Sequence, residues 1–196
     1  KRDGSIPKSG ESISPYEIWI AEVMLQQTQL KVVIPYWERW MKNFPTLTHL
    51  ADSDLQSVLL AWQGLGYYSR ANRIHQSSKI LIKCVGFNRD QDLDSWPSTL
   101  DKWISLPGIG KSTAGSIISS AFDLPTPILD GNAKRIFSRL LATETKSSKA
   151  EKKLWEYSSL LISGLRPRDF NQALMDLGAI ICTPKQPSCS SCPLQN

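Results

Sequence analysis

A tight Pro-Gly-x-Gly turn, Leu106-Pro-Gly-Ile-Gly110, sits between two helical stretches and constrains this chain more than any other segment. Before it, Pro97-Ser-Thr-Leu-Asp-Lys-Trp-Ile-Ser105 offers a cap at Ser98 with Asp101 three residues on, then Leu100, Trp103 and Ile104 at helical spacing. After it, Lys111-Ser-Thr-Ala-Gly115 opens a second helix. Such a turn exposes backbone N–H groups at a helix start, a seat for a phosphate, and the ligand it suits is a nucleic-acid backbone. A Walker-type loop is excluded. That pattern needs a glycine five residues before Gly110 and a strand ahead of it, and Ser105 and a helix stand there instead. A helix corner with glycines for geometry alone is the plain alternative.

Helix signals dominate elsewhere too. Ser14-Pro-Tyr-Glu17 is a capping box with proline at the first helical position, opening a helix predicted to run to about Leu30. Further helices are expected near 31–43, 52–62, 70–84, 98–105, 111–121, 132–143, 150–162 and 169–181, joined by short polar, Gly or Pro punctuation. Strand signals are scarce, so the expected fold class is all-α. A chain of 196 residues can form one large domain or two lobes with substantial cores. Its net charge of +5 suits a polyanionic partner without requiring one. With no signal peptide and no apolar run approaching the roughly 18 residues of a membrane span, the expected setting is soluble and intracellular. The chain starts at Lys1 without an initiator methionine, as a piece of a longer protein would.

Two groups of residues carry chemistry. At 3.6 residues per turn Glu22 shares a helix face with Ile18, Trp19, Leu25, Gln26 and Gln29, a carboxylate among apolar and amide groups. Desolvation there would raise its pKa and keep it protonated near neutrality, as a general acid requires; a solvated surface glutamate is the alternative. Cys182, Cys189 and Cys192 form C-x6-C-x2-C, with Cys84 about a hundred residues away. In an intracellular chain this spacing points to a metal rather than to disulfides, and leaves iron–sulfur and zinc both open.

Five ordered motifs, Glu22-Val-Met-Leu-Gln-Gln-Thr-Gln29, Gly64-Leu-Gly-Tyr-Tyr-Ser-Arg70, Leu106-Pro-Gly-Ile-Gly110, Ile128-Leu-Asp-Gly-Asn132 and Asn171-Gln-Ala-Leu-Met-Asp-Leu-Gly178, resemble the catalytic region of the adenine-DNA glycosylases. These form the A-mismatch branch of the helix-hairpin-helix superfamily that includes endonuclease III. The resemblance runs from about Pro15 to Asn196. It implies two helical lobes flanking a basic groove: a six-helix barrel with the hairpin over 12–126, and a cluster lobe built from 1–11 and 127–196. A C-terminal domain that reads 8-oxoguanine is expected in the family and absent from this stretch.

The resemblance also implies roles. The target adenosine is flipped out of double-stranded DNA into a pocket between the lobes. Glu22 matches the acid that protonates adenine, and Asp130 the carboxylate that stabilises the resulting sugar cation, besides capping a helix. Asn132 falls where the family supports Asp130 and the sugar, and Gln172 where it contacts the adenine edge. The lysine with which bifunctional members attack the sugar is Ser112 here, which implies a monofunctional hydrolase, with Lys111 one residue early and left as a phosphate or solvent contact. Tyr67 matches the residue wedged into the base stack, Leu25 and Gln27 the loop probing the vacated gap, and Thr28 the contact to the opposite purine. Tyr68 and Trp62 read as core aromatics. Gly108, Gly110 and Ser112 would hold a phosphate through their amides, with a monovalent cation on the turn carbonyls. The cysteine loop of the family is C-x6-C-x2-C-x5-C around a [4Fe–4S] cluster. This puts the fourth ligand two residues past Asn196 and leaves Cys84 a buried helix thiol. The implied substrate is DNA with adenine opposite 8-oxoguanine or guanine, and the implied oligomeric state is a monomer.

Overall fold

The structure is a computed structural model that describes residues 13–85, 93–143, 147–163 and 166–195. Every regular element among them is helical: α1 Pro15–Leu25, α2 Leu30–Asn43, α3 Leu47–Asp52, α4 Leu55–Trp62, α5 Ser69–Val85, α6 Leu100–Ile104, α7 Lys111–Phe122, α8 Gly131–Leu140, α9 Ser148–Ile162 and α10 Pro167–Asp176. A π turn, Leu177–Ile181, continues α10, and short 3₁₀ turns lie at Leu93–Ser95 and Cys189–Ser191. The all-α expectation holds. No helix among the described residues is long and apolar enough to cross a membrane. The segment 1–11 and the side chain of Cys84 lie outside the described residues.

Ser14 caps α1 as expected, its hydroxyl accepting the Glu17 N–H at 3.3 Å. The other end differs from expectation. α1 stops at Leu25 rather than near Leu30, because Gln27 turns into the left-handed region (φ 57°) and α2 restarts at Leu30. Gln26 and Gln29 therefore leave the helical face they were expected to share with Glu22. The helix expected over 52–62 is α4, which starts only at Leu55, and α3 over Leu47–Asp52 lies where no helix was expected. Asp54 sets the start of α4 by accepting the Ser57 N–H at 2.8 Å. α6 is capped at Thr99 rather than Ser98, without a side-chain bond.

Two hydrophobic cores result. The first runs from Tyr16 to Ile118 and is tryptophan-rich, with Trp19, Trp40, Trp62 and Trp103 fully buried. The second gathers Ile128, Ile136, Phe137, Leu154 and Leu174 from α8, α9, α10 and the strand-like segment leading into α8. α7 belongs to the first core and carries the second. Asn171 of α10 donates to Ser119 Oγ at 2.8 Å and to the Thr126 carbonyl at 3.0 Å, and Arg168 donates to the Ser120 carbonyl at 2.7 Å. These buried bonds fix α10 to the C-terminal half of α7. The N-terminal end of α7 is tied as well, since Lys111 Nζ stands 4.1 Å from the centroid of the Trp155 ring on α9.

Candidate active site and nucleic-acid interface

The hairpin is built around one buried side chain. Ile109 packs into the first core and its N–H donates to the Leu106 carbonyl at 3.3 Å, while Gly108 and Gly110 on either side are exposed. Gly108 has φ 81°, a left-handed conformation that favours glycine, and a Cβ there would also displace the Arg73 side chain, whose Cδ would stand 2.7 Å away. Gly110 caps α7 with no side chain on the helix start, and a Cβ there would meet open space. The exposed amide end of a 12-residue helix faces outward, the geometry that binds an anionic oxygen. Lys111 reaches Trp155 rather than extending into solvent, so its ammonium is engaged before any phosphate arrives.

One close approach brings the two candidate carboxyls together. α1 lies along α7, and α7 lies against the 127–130 segment because Gly115 has no side chain: a Cβ on it would overlap the Pro127 carbonyl oxygen. The Ser112 hydroxyl accepts the Leu129 N–H at 3.1 Å, holding that segment one residue before Asp130. The Ser112 side chain thus positions the segment that carries Asp130, a role beside the one expected of its backbone amide. Asp130 then caps α8, accepting the Ala133 N–H at 2.8 Å.

Glu22 extends from α1 toward this junction and is partly buried. Burial pushes its carboxyl pKa up to about 7; the buried Ser116 hydroxyl opposes the shift and the negative charge of Asp130 adds to it. Ser116 Oγ is close enough to favour the carboxylate, an effect second to burial and larger than that of the Asp130 charge, although it makes no well-formed hydrogen bond. A carboxyl poised near neutrality beside a second carboxylate can give up a proton at physiological pH while its neighbour faces a developing positive charge.

The capping and electrostatic roles of Asp130 separate cleanly. Asp130→Asn keeps an N-cap of equal quality and removes the charge, so unfolding free energy should stay within about 0.5 kcal/mol of the parent. The same substitution should lower the pKa of Glu22, read by carboxyl NMR titration. Asp130→Ala should instead cost about 1 kcal/mol. An unmoved Glu22 titration in Asp130→Asn would show that the two groups do not interact.

The other expected residues divide. Leu25 ends α1 and packs on the first core; Gln27 is exposed at φ 57°; Thr28 Oγ1 donates to the Gln26 carbonyl at 3.4 Å. Tyr67 is 64% exposed and held at φ 48°, a strained backbone that aims the ring outward beside the 26–29 turn. Trp62 is core, its indole donating to the Gly66 carbonyl at 2.9 Å, but Tyr68 is 46% exposed and corrects the core reading. Asn132 stands two residues after Asp130, yet its side-chain oxygen accepts Arg135 at 2.8 Å and its Cβ lies against Gly178, so it is engaged with the second core rather than with Asp130. Gln172 is exposed on α10 and donates to Asp176 at 2.9 Å; no described contact brings it to Glu22 or Asp130. It is the buried neighbour, Asn171, that does structural work there.

Cys182, Cys189 and Cys192 line one hollow of about 180 Å³ with Ile136, Leu177 and Ile181. Arg139 donates to Cys182 Sγ at 3.1 Å and to the carbonyl of Thr183 at 3.0 Å, tying the start of the cysteine loop to α8. Among the described residues no group of three ligands stands close enough to share a single metal ion.

Arg70 was not singled out by sequence. It is 6% exposed and bonds to the carbonyls of Val23, Met24 and Gln26, to the Thr28 hydroxyl and to the carbonyls of Leu65 and Gly66, whereas the sequence shows only a basic residue at the start of a helix.

Residues 20–159 match the model of the HhH-GPD superfamily base excision DNA repair protein family. The adenine DNA glycosylase of Buchnera aphidicola subsp. Baizongia pistaciae is 45% identical over 183 residues, 93% of this chain and 50% of that protein. That of Homo sapiens is 41% identical over 183 residues, 92% of this chain and 32% of the relative. The chain thus spans half or less of the length of these curated relatives. Among solved structures, a thermostable thymine-DNA glycosylase superposes with TM-score 0.81 at 25% identity, covering 97% of this chain and 86% of that one. A trapped endonuclease III–DNA covalent intermediate superposes with TM-score 0.75 at 22% identity, covering 96% and 84%. With its hairpin, its all-helical architecture and a family match over most of its length, the chain belongs to the HhH-GPD superfamily of base excision DNA repair proteins.

Proposed function

We propose that this chain is the catalytic region of a monofunctional adenine DNA glycosylase, hydrolysing the N-glycosidic bond of adenine mispaired with 8-oxoguanine or guanine in double-stranded DNA. One observation carries the reading: a carboxyl with a pKa of about 7, Glu22, set beside the helix-capping carboxylate Asp130. Glu22 donates its proton to the adenine ring, making the base a neutral leaving group. Asp130 stabilises the positive charge that develops on the sugar, and water completes the hydrolysis. The absence of a lysine at position 112, where the Ser112 hydroxyl is bonded to the backbone, supports hydrolysis without strand cleavage. The named adenine DNA glycosylases among its relatives support adenine as the base.

In this reading the amides of Gly108, Gly110, Lys111 and Ser112 hold a backbone phosphate, with a monovalent cation on the turn carbonyls. Tyr67 wedges into the stack while Leu25, Gln27 and Thr28 probe the gap and the opposite purine. Asn132 and Gln172 are second-rank contacts that would have to release Arg135 and Asp176 to reach substrate. Cys182, Cys189 and Cys192, which line one hollow, would hold a [4Fe–4S] cluster with a further ligand, and the cluster would supply rigidity to the second core. The lobe boundary falls between 126 and 127, and the protein acts as a monomer in a DNA-containing compartment.

The test is single-turnover base release from a duplex with adenine opposite 8-oxoguanine or guanine, scoring free base and strand scission before alkali separately. Adenine release without scission is expected, lost in Glu22→Gln. Release of thymine from a mismatch instead would assign the chain to a sister activity, as the thymine-DNA glycosylase likeness would then explain. Duplex binding with no base release would overturn the enzymatic reading.

A further inference from the structure

The 26–29 turn and the 64–67 turn come from distant parts of the chain, and each contains a non-glycine residue in the left-handed region, Gln27 at φ 57° and Tyr67 at φ 48°. Two strained turns need something that over-determines them. Arg70 supplies it from the start of α5. One terminal nitrogen donates to the carbonyls of Val23 at 3.0 Å, Met24 at 2.9 Å and Gln26 at 2.6 Å, which are α1 carbonyls near its C-terminal end and the first carbonyl of the turn beyond it. The other donates to Thr28 Oγ1 at 3.3 Å and to the carbonyls of Leu65 at 3.2 Å and Gly66 at 3.3 Å. The guanidinium carbon also stands 5.2 Å from the Trp62 ring centroid and 5.5 Å from that of Tyr67.

No carboxylate is among these partners. The positive charge sits against carbonyl dipoles at a helix C-terminus, and burial lowers the guanidinium pKa from its ordinary value. Such an arrangement is a poor way to gain stability alone, because a desolvated charge is costly, but it is an efficient way to fix the relative position of two loops with one planar group.

We propose that Arg70 is a positioning residue that locks the 26–29 and 64–67 turns into a single rigid probe, so that Tyr67 and Gln27 engage the duplex as one unit. The functional half of this inference rests on the glycosylase reading above; the mechanical half does not. Lysine at this position would keep a positive charge but lose the plane and the fork, and could serve only one of the two turns.

The experiment compares Arg70→Lys with the parent chain in two independent readouts. Amide hydrogen exchange needs no substrate: exchange should quicken about tenfold or more at both the 26–29 and 64–67 turns, with α8, α9 and α10 unchanged. In the second readout, fluorescence of a duplex with 2-aminopurine in place of the mispaired adenine should show base extrusion slowed about tenfold or more, with affinity for undamaged duplex within about threefold of the parent. Loosening of only one turn, or of neither, would overturn the lock, and uniform acceleration across the whole chain would show a merely structural role. Coupled loosening with normal extrusion would show that the lock exists but does not serve flipping, and would overturn the functional half alone. If the parent itself released no adenine, the exchange readout would still decide the mechanical half.

Discussion

Glu22→Gln is expected to lower adenine release by about three orders of magnitude and, at the same time, to stabilise the fold above neutral pH. The first effect follows from removing a general acid, worth roughly 10²–10⁴-fold in rate. The second follows from linkage. Burial pushes the Glu22 carboxyl from an ordinary 4.5 up to about 7 in the folded chain. Between those values the native state binds more protons than the unfolded one, so stability falls as pH rises through that window and the whole cost is present above it. A shift of this size corresponds to about 3 kcal/mol at full expression. Glutamine has no proton to lose, so the variant should recover much of this at about pH 8 and none of it near pH 4. The parent's excision rate should fall about tenfold per pH unit above 7, as the acid form is titrated away. Urea unfolding at the two pH values and single-turnover rates across the range check both parts. A variant no more stable than the parent at high pH would mean that Glu22 is not desolvated as the fold places it.

Gly115→Ala should destabilise the chain by about 3 kcal/mol and cost at least tenfold in excision by the folded fraction. The sign is what makes the prediction sharp. Alanine in place of glycine inside a helix ordinarily stabilises by roughly 1 kcal/mol. Here the new methyl overlaps the Pro127 carbonyl oxygen and also meets Ile128, so α7 and the segment leading to Asp130 must separate. That separation strains the Ser112 bond to Leu129 and moves Asp130 relative to Glu22. Thermal unfolding with single-turnover rates at saturating duplex would check it. Normal excision in a fully folded variant would show that this close approach does not set the spacing of the two carboxyls.

Local signals proved legible wherever the deciding group lay within a few residues. The Ser14 capping box, the Asp130 cap and the hairpin glycines all act over three or four positions, and the structure has each of them. The environment of Glu22 was readable for a related reason, since Ile18 and Trp19 share its helix face. What escaped depends on distant chain. Gln26, Gln27 and Gln29 are good helix formers, yet the helix ends before them where a guanidinium from α5 takes the carbonyls of Met24 and Gln26. Exposure of Tyr68 and Gln172 was equally opaque, because an aromatic or amide on a helix does not announce which neighbour covers it. The Asp54 cap was legible in principle, through Ser57 three residues on, but the polar run Asp52-Ser53-Asp54 offers more than one cap position.

The π turn after α10 bears on how this chain tolerates change in length. Its closing bond runs from the Cys182 N–H to the Leu177 carbonyl at 2.7 Å, one residue longer than an α-helical bond. A π turn is what an α-helix becomes when it absorbs a single inserted residue without passing the offset on. Deleting one residue from 177–181 would therefore yield an unremarkable α-helix with better local geometry. It would also swing everything downstream by about 100° around the helix axis. The cysteine loop as a whole would turn away from Ile136 and Arg139 of α8, against which Cys182 now stands. The reading frame of the cysteine loop is thus stored in one surplus residue, and a shorter, locally more regular chain would be the wrong one.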